Sequence, residues 1–191
     1  MIINRLLFTK DKNMTKAVKL DIGCGKNKVS EDFIGLDIKK PADIVMDVSE
    51  KKLPFGNESV DEIYSSHLLE HVENPVFVLK EIYRVLKKDG MLTLQYPHFT
   101  DYRAHNQYHR FFLSGAILDF YDEKSRVMVS KKLEDARFKI IKKQIMVHKT
   151  LLLPYTYIIA EIAKFAPDFY EKFFCYLAPA YNVRIFCKKV V

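Results

Sequence analysis

The sequence predicts an α/β fold built on a parallel sheet, and three observations predict it. Short runs rich in Val, Ile, Leu and aromatic residues recur along the chain, each bounded by Gly, Pro, Asp or Asn, as strands are. One strongly periodic helix lies between the fourth and fifth runs, so strand, helix and strand follow in the order of a parallel crossover. The first run breaks into Gly23-Cys24-Gly25, where glycines let a ligand approach the backbone closely. A chain of 191 residues can bury the core of one such domain but not of two. The expected single domain spans 1–191, with its core at about 17–147 and 182–191 and a helical cap at 148–181.

The strands are expected at about 17–22, 33–38, 44–46, 60–65, 91–96, 138–147 and 182–189. The helix starts at Pro75, where a missing N–H costs nothing, and repeats Val78, Leu79, Ile82, Val85 and Leu86 at helical spacing. Lys87 and Lys88 suit its last turn and Asp89-Gly90 its end. Two stretches break this rhythm: 97–130 is aromatic and histidine-rich, and 151–180 is aromatic and apolar. Both fall at or near the carboxyl edge of the sheet, where such a scaffold places selectivity.

Three of the early runs end in a carboxylate. Asp21 precedes the glycine turn, Asp37 ends the second run just before Ile38, and Asp47 ends the third. Three acids along one edge of a parallel sheet describe a pocket for a nucleotide-like ligand.

The formal charge of +7 is modest and spread out. Its densest part, 131–149, alternates lysines with Ile140, Ile141, Ile145 and Val147, as the wet face of a half-buried strand does. No helix-turn-helix, RNP motif or finger points to nucleic acid. Cys24, Cys175 and Cys187 form no CxxC pair, which suits free thiols in a reducing compartment, and a cytoplasmic location is expected. Residues 1–13 are too polar after Phe8 for a secretion signal, and the longest uncharged apolar stretch, 151–160, is too short to span a bilayer.

Four segments in order resemble the class I S-adenosylmethionine-dependent methyltransferases of the small type 11 sort. They are Asp21-Ile22-Gly23-Cys24-Gly25; Asp37; Asp47-Val48 with Leu53-Pro54-Phe55; and Ser66-His67-Leu68-Leu69-Glu70-His71-Val72 with Arg84-Val85-Leu86-Lys87-Lys88-Asp89-Gly90. The resemblance covers about 17–97 and resumes more weakly at 133–141 and 182–191. It implies a Rossmann-like, seven-stranded, mostly parallel sheet with an antiparallel last strand, helices on both faces and an aromatic helical insertion before that strand. It implies S-adenosyl-L-methionine as cofactor and methyl transfer as activity. Gly23 and Gly25, with Cys24 between them, would meet the methionine part, and Asp21 would orient that loop and the cofactor's ammonium. Asp37, followed by Ile38, would accept both ribose hydroxyls, and Asp47 the adenine amino group, with the Val48 amide near the ring. Ser66 and His67 would flank the cofactor. Two departures stand out: Asn27 replaces the usual third glycine, and so few residues separate Asp21 from Asp37 that 26–32 is expected to form a turn rather than a helix.

Other readings explain less. A nicotinamide-dependent dehydrogenase lacks its last glycine, which is Lys28 here. A noncatalytic cofactor-binding or regulatory protein of the same fold remains the alternative from another class, although the three acids argue that binding is intact. His67-Leu68-Leu69-Glu70-His71 matches H-x-x-E-H, a zinc-site pattern. No third ligand is evident in the sequence, so the segment reads as a polar helix start beside the cofactor, and His105 and His109 read as pocket or surface residues, with no metal expected. Cys24 reads as a small side chain in a crowded turn.

A hydroxyl acceptor would need a base, and His98 and His109 are the catalytic candidates, with Tyr96, Asp101 and Tyr108 positioning the substrate among aromatic walls. The acceptor is expected to be a small molecule or glycan. Tyr170-Glu171 and Leu177-Ala178-Pro179-Ala180 resemble tails of methyltransferases associated with glycan and cell-surface polysaccharide synthesis. Segment 151–180 reads first as a packed helical cap. Its Phe and Tyr content, with Lys164 and Lys172, also allows peripheral membrane contact.

Overall fold

The computed structural model of the chain describes residues 17–122 and 136–190. The readings placed on 1–13, on 123–130 of the aromatic insertion and on 131–135 of the basic stretch lie outside these residues.

All seven expected strands form: β1 (Lys19–Ile22), β2 (Ile34–Asp37), β3 (Ile44–Val45), β4 (Val60–Ser66), β5 (Leu86–Tyr96), β6 (Phe138–Val147) and β7 (Ala180–Lys189). They make one sheet in the order β3-β2-β1-β4-β5-β7-β6. Strands β1 to β5 pair in parallel, while β7 runs antiparallel to β5 and β6 on either side of it. The order reverses between β1 and β4, the switch point where open α/β sheets bind ligands beyond the carboxyl ends. This is the Rossmann-like methyltransferase fold that the sequence resemblance implied.

Helix α1 (Pro75–Val85) joins β4 to β5. Asn74 caps it by accepting the Phe77 N–H at 2.9 Å, and Pro75 occupies the first turn. Its spacing turns Val78, Leu79, Ile82 and Val85 inward against Leu20, Ile22 and Leu92 of the sheet core. Each such side chain contributes roughly 1.5–3 kcal/mol on burial. A charge at Ile82, which is fully buried, would break that face. The helix passes into β5 without a glycine cap. The left-handed residue is Asp89 at φ +60, and β4's partner jumps from Leu86 to Met91, so Lys87 to Gly90 bulge from the strand. Gly90 is needed for space: a Cβ there would lie 2.8 Å from Leu86 Cγ and from the Lys87 carbonyl.

Helix α1 also pins the chain that leads into β4. Glu81 accepts the Leu53 N–H at 2.9 Å, and Arg84 donates to the Leu53 and Phe55 carbonyls and to Glu81. The Arg84 guanidinium holds the Glu81 carboxyl below its ordinary range.

The expected cap is present as α2 (Tyr155–Phe165) and α3 (Pro167–Phe173). A second core joins it to the edge strands through Ile145, Val147, Ile159, Ala163, Tyr170 and Ala178. No helix among the described residues is long and apolar enough to cross a membrane.

Candidate active site at the carboxyl edge

The glycine turn is set by its backbone. Gly23 and Gly25 both take left-handed φ values, +79 and +58, which other residues adopt at a cost. The amides of Gly23 and Cys24 donate to the Leu36 carbonyl at 2.7 and 3.1 Å, which fixes the turn to β2. A Cβ on Gly23 would sit 3.0 Å from Leu68 Cβ, whereas one on Gly25 would meet nothing within 4 Å.

The acids organise this turn. Asp21 is buried and accepts the Val29 N–H at 2.7 Å, so it holds the loop from beneath. Desolvation raises its pKa, and the nearby Asp37 adds to the effect. Asp37 accepts the Gly25 N–H at 2.9 Å on one oxygen and the Lys39 N–H at 3.1 Å on the other. Each oxygen keeps a lone pair for a ribose hydroxyl. Asp47 accepts the Ser49 hydroxyl and amide on one oxygen, and these bonds lower its pKa. Residues 26–32 form turns and bends without a helix, as the short Asp21–Asp37 spacing predicts.

Three cavities meet here. The first, of about 350 Å³, is lined by Gly23, Asp37, Ile38, Asp47, Val48 and His67, among others. The second, of about 260 Å³, takes Asp21, Gly23, Cys24 and Ser66. Every residue proposed for the cofactor therefore lines one of these two, except Gly25, which is bonded to Asp37. The third, of about 300 Å³, is lined by His67, Pro97, Asp101, Arg103, Asn106, His109, Tyr181 and Asn182. Gly23 is shared by the first two, and His67 by the first and third. A larger cavity of about 970 Å³ beside β6 and α3 contains none of the residues proposed for the cofactor.

His67 takes φ +53 at the end of β4, and its amide donates to the Gln95 carbonyl at 2.9 Å. Such a conformation costs of order 1–3 kcal/mol and collects at functional sites. Its Nδ1 lies 3.1 Å from Oε1 of the fully buried Glu70, so Nδ1 carries the proton, and Nε2 has no hydrogen-bond partner among the described residues. The segment after it is a turn closed by the His71 N–H on the Leu68 carbonyl, not the helix start expected from sequence; α1 begins only at Pro75. Cys24 is buried, and burial pushes its thiol pKa up, which disfavours the thiolate that a nucleophile needs.

The two histidines read as catalytic separate. His109 lines the third cavity, and its Nδ1 donates to the Ala104 carbonyl at 2.9 Å, which leaves Nε2 without a hydrogen-bond partner among the described residues. His98 has 0% exposure and lines none of the three cavities. The Thr100 N–H donates to its Nδ1 at 3.2 Å, so Nε2 carries the proton to Glu171, at 3.0 Å. Both nitrogens are used, and His98 ties β5 to α3 instead of serving as a base. The expected aromatic walls also differ. Tyr96 is buried with its hydroxyl on the Ser114 carbonyl, Tyr102, Tyr108 and Phe112 are exposed, and of the Phe and Tyr side chains among the described residues the third cavity takes Tyr181 alone. The sequence did not reveal Leu68, His71, Glu73 and Arg110 as lining the first cavity. Arg110 arrives from the insertion through a bond from its amide to the Glu70 carbonyl, for which no local motif exists.

Residues 20–94 match the methyltransferase domain family. No curated protein matches the chain. Among solved structures, a methyltransferase from Methanosarcina mazei superposes with a TM-score of 0.57 at 16% identity, over 93% of this chain and 95% of that one. One from Archaeoglobus fulgidus gives 0.56 at 17%, over 91% and 86%. The [4+2]-cyclase SpnF gives 0.55 at 17%, over 92% and 76%, so likeness at this level speaks for the fold alone. The ordered motifs fall within that domain match and line the cavity, so this stretch of the chain, residues 20–94, is similar to the methyltransferase domain family.

Proposed function

We propose that the protein methylates a hydroxyl group of a small hydroxylated acceptor, a sugar or glycan unit, bound in the cavity that His67 shares with the cofactor side. That shared wall is the observation that carries the reading. The residues fit the cofactor. Asp37 keeps acceptor capacity for a diol, Asp47 and Val48 line the far wall, and the space beside Gly25 is open. When bound, S-adenosylmethionine supplies an activated methyl group on a sulfonium. The chain must hold the acceptor in line, exclude water and take its proton. His67 suits the last task. Buried Glu70 fixes its tautomer, and Nε2 is free within the wall common to both cavities. His109 presents a second free Nε2 from the acceptor side. Asp101, Arg103, Asn106 and Asn182 supply polar contacts suited to a hydroxylated ligand.

The free, buried cysteines support a cytoplasmic place for the reaction. Exposed Leu151, Leu152, Phe165 and Phe173 of the cap, with Lys164 and Lys172 in the last turns of α2 and α3, support contact with a membrane surface where a lipid-linked glycan would be met. The test is incubation with methyl-labelled cofactor and fractionated cell extract. Label in an oligosaccharide or glycolipid fraction supports the reading; label confined to protein or RNA overturns the acceptor class.

A further inference from the structure

The sequence presents His67-x-x-Glu70-His71 without a further ligand, and the fold brings His109 to the last two of these residues, with His67 outside the group. Glu70, His71 and His109 each bring one metal-ligating atom within 4.8 Å of the others. The rings of His71 and His109 meet edge to face with centroids 4.6 Å apart. His71 Nδ1 donates to the Tyr108 carbonyl at 3.1 Å, and His109 Nδ1 to the Ala104 carbonyl at 2.9 Å. Backbone carbonyls on Nδ1 are what fix the tautomer of metal-binding histidines, leaving Nε2 for the ion. Glu70 is fully buried, and its two oxygens differ. Oε1 holds His67, while Oε2 has no hydrogen-bond partner among the described residues. An orphaned carboxylate oxygen in a protein interior is costly and calls for an explanation.

We infer that Glu70, His71 and His109 form a binding site for a divalent transition-metal ion, placed between the cofactor cavity and the acceptor cavity. Two imidazoles and one carboxylate suit Zn²⁺, Co²⁺, Mn²⁺ or Fe²⁺ better than Ca²⁺, and three protein ligands leave positions open for a substrate oxygen. His71 lines the cofactor side and His109 the acceptor side, so an ion held by both stands at the junction. This deepens the proposed methyl transfer and rests on it for its role. The ion would hold the acceptor hydroxyl and lower its pKa, and His67 Nε2 would take the proton. His109 then acts as a ligand rather than as the base.

The test is calorimetric titration of the full chain, stripped with chelator, with Zn²⁺ and with Co²⁺. One equivalent should bind with a Kd of about 1 μM or tighter. Co²⁺ should give visible absorption typical of nitrogen and oxygen ligands. His109→Gln and Glu70→Gln should each weaken binding by about a hundredfold, since even outer-shell losses reach ten- to hundredfold. Because Glu70 is buried and its variant can fail to fold, His109→Gln on its partly exposed loop keeps the test valid. Wild-type binding weaker than about 1 mM, or Co²⁺ spectra and affinity unchanged in His109→Gln, overturns the site. S-adenosylhomocysteine titrated into the same protein separates the two readings. Ion binding without it supports the metal site and sinks the methyl-transfer reading, and the reverse sinks the metal site alone.

Discussion

The two halves of the sheet anchor their polar side chains over very different distances along the chain. In the amino-terminal half each strand-end acid is held by backbone nearby. Asp21 to Val29 and Asp43 to Gly35 are 8 residues apart, Asp37 to Gly25 is 12, and Asp47 to Ser49 is 2. In the carboxyl-terminal half, local ties are joined by remote ones. His98 meets Glu171 across 73 residues, Thr100 meets Ala180 across 80, and Gln95 meets Arg184 across 89. The short ties build a rigid cradle whose geometry is implicit in a motif. The long ones lock an insertion and a cap onto the sheet, and no motif marks them.

Breaking the cradle gives the largest expected effect. Gly25→Val points its Cβ into space with no protein atom within 4 Å, beside the proposed cofactor walls, although φ +58 strains a branched residue and should lower the melting temperature somewhat. Affinity for S-adenosylhomocysteine should fall on the order of a hundredfold, about 3 kcal/mol. Gly23→Ala adds a close contact to the same backbone strain. Its Cβ would sit 3.0 Å from Leu68 Cβ, so part of its loss should come from packing beneath the turn rather than from the cofactor space. Calorimetry with a thermal melt separates the two, and near-normal affinity in folded Gly25→Val would move the cofactor elsewhere.

The remote ties make the opposite prediction. His98→Ala removes a buried ring and leaves Glu171, among the described residues, with the Gly115 amide at 2.6 Å as its remaining hydrogen-bond partner. Stability should fall by about 2–4 kcal/mol while cofactor affinity stays within twofold. Denaturant melts and the binding assay check it. A stable His98→Ala protein that has lost turnover would restore His98 to catalysis. Returning to the cradle, Asp37→Ala should weaken S-adenosylhomocysteine by about 2 kcal/mol, near thirtyfold, through loss of charge-assisted bonds. Unchanged affinity there would take Asp37 out of the site.

The same contrast explains what was legible in the sequence. Strand periodicity and the glycine turn are local, so all seven strands, α1 and the acids and glycine that line the cavity at the carboxyl edge could be read directly. His98 and His109 look alike in sequence, each polar in an aromatic setting. Only the fold shows that Glu171 claims one and that the other stands near Glu70 and His71. The end of α1 misled for a smaller reason. Asp89 takes the left-handed turn that glycine usually takes, while Gly90 is kept for its missing Cβ.

The smallest expected effect tests the outer face of the cap. Its inner face is accounted for, since Ala163 and Tyr170 have 0% exposure and pack on β6. Leu152 and Phe165 are 89% and 78% exposed, so together they leave a large apolar area in water. Lys164 lies over the Phe165 ring at 5.1 Å, with a cation beside an apolar side chain as an interfacial helix has. Leu152→Glu with Phe165→Glu should leave stability within about 0.5 kcal/mol, because neither side chain is packed. Cosedimentation with vesicles containing anionic lipid should fall about tenfold, as two partly inserted apolar groups are lost. Binding to S-adenosylhomocysteine should not change, since neither residue lines the cofactor cavity. Vesicle binding equal to that of the unaltered chain would show that the exposed apolar face serves something other than a lipid surface, and the membrane contact proposed for the cap would fall while the cradle stood.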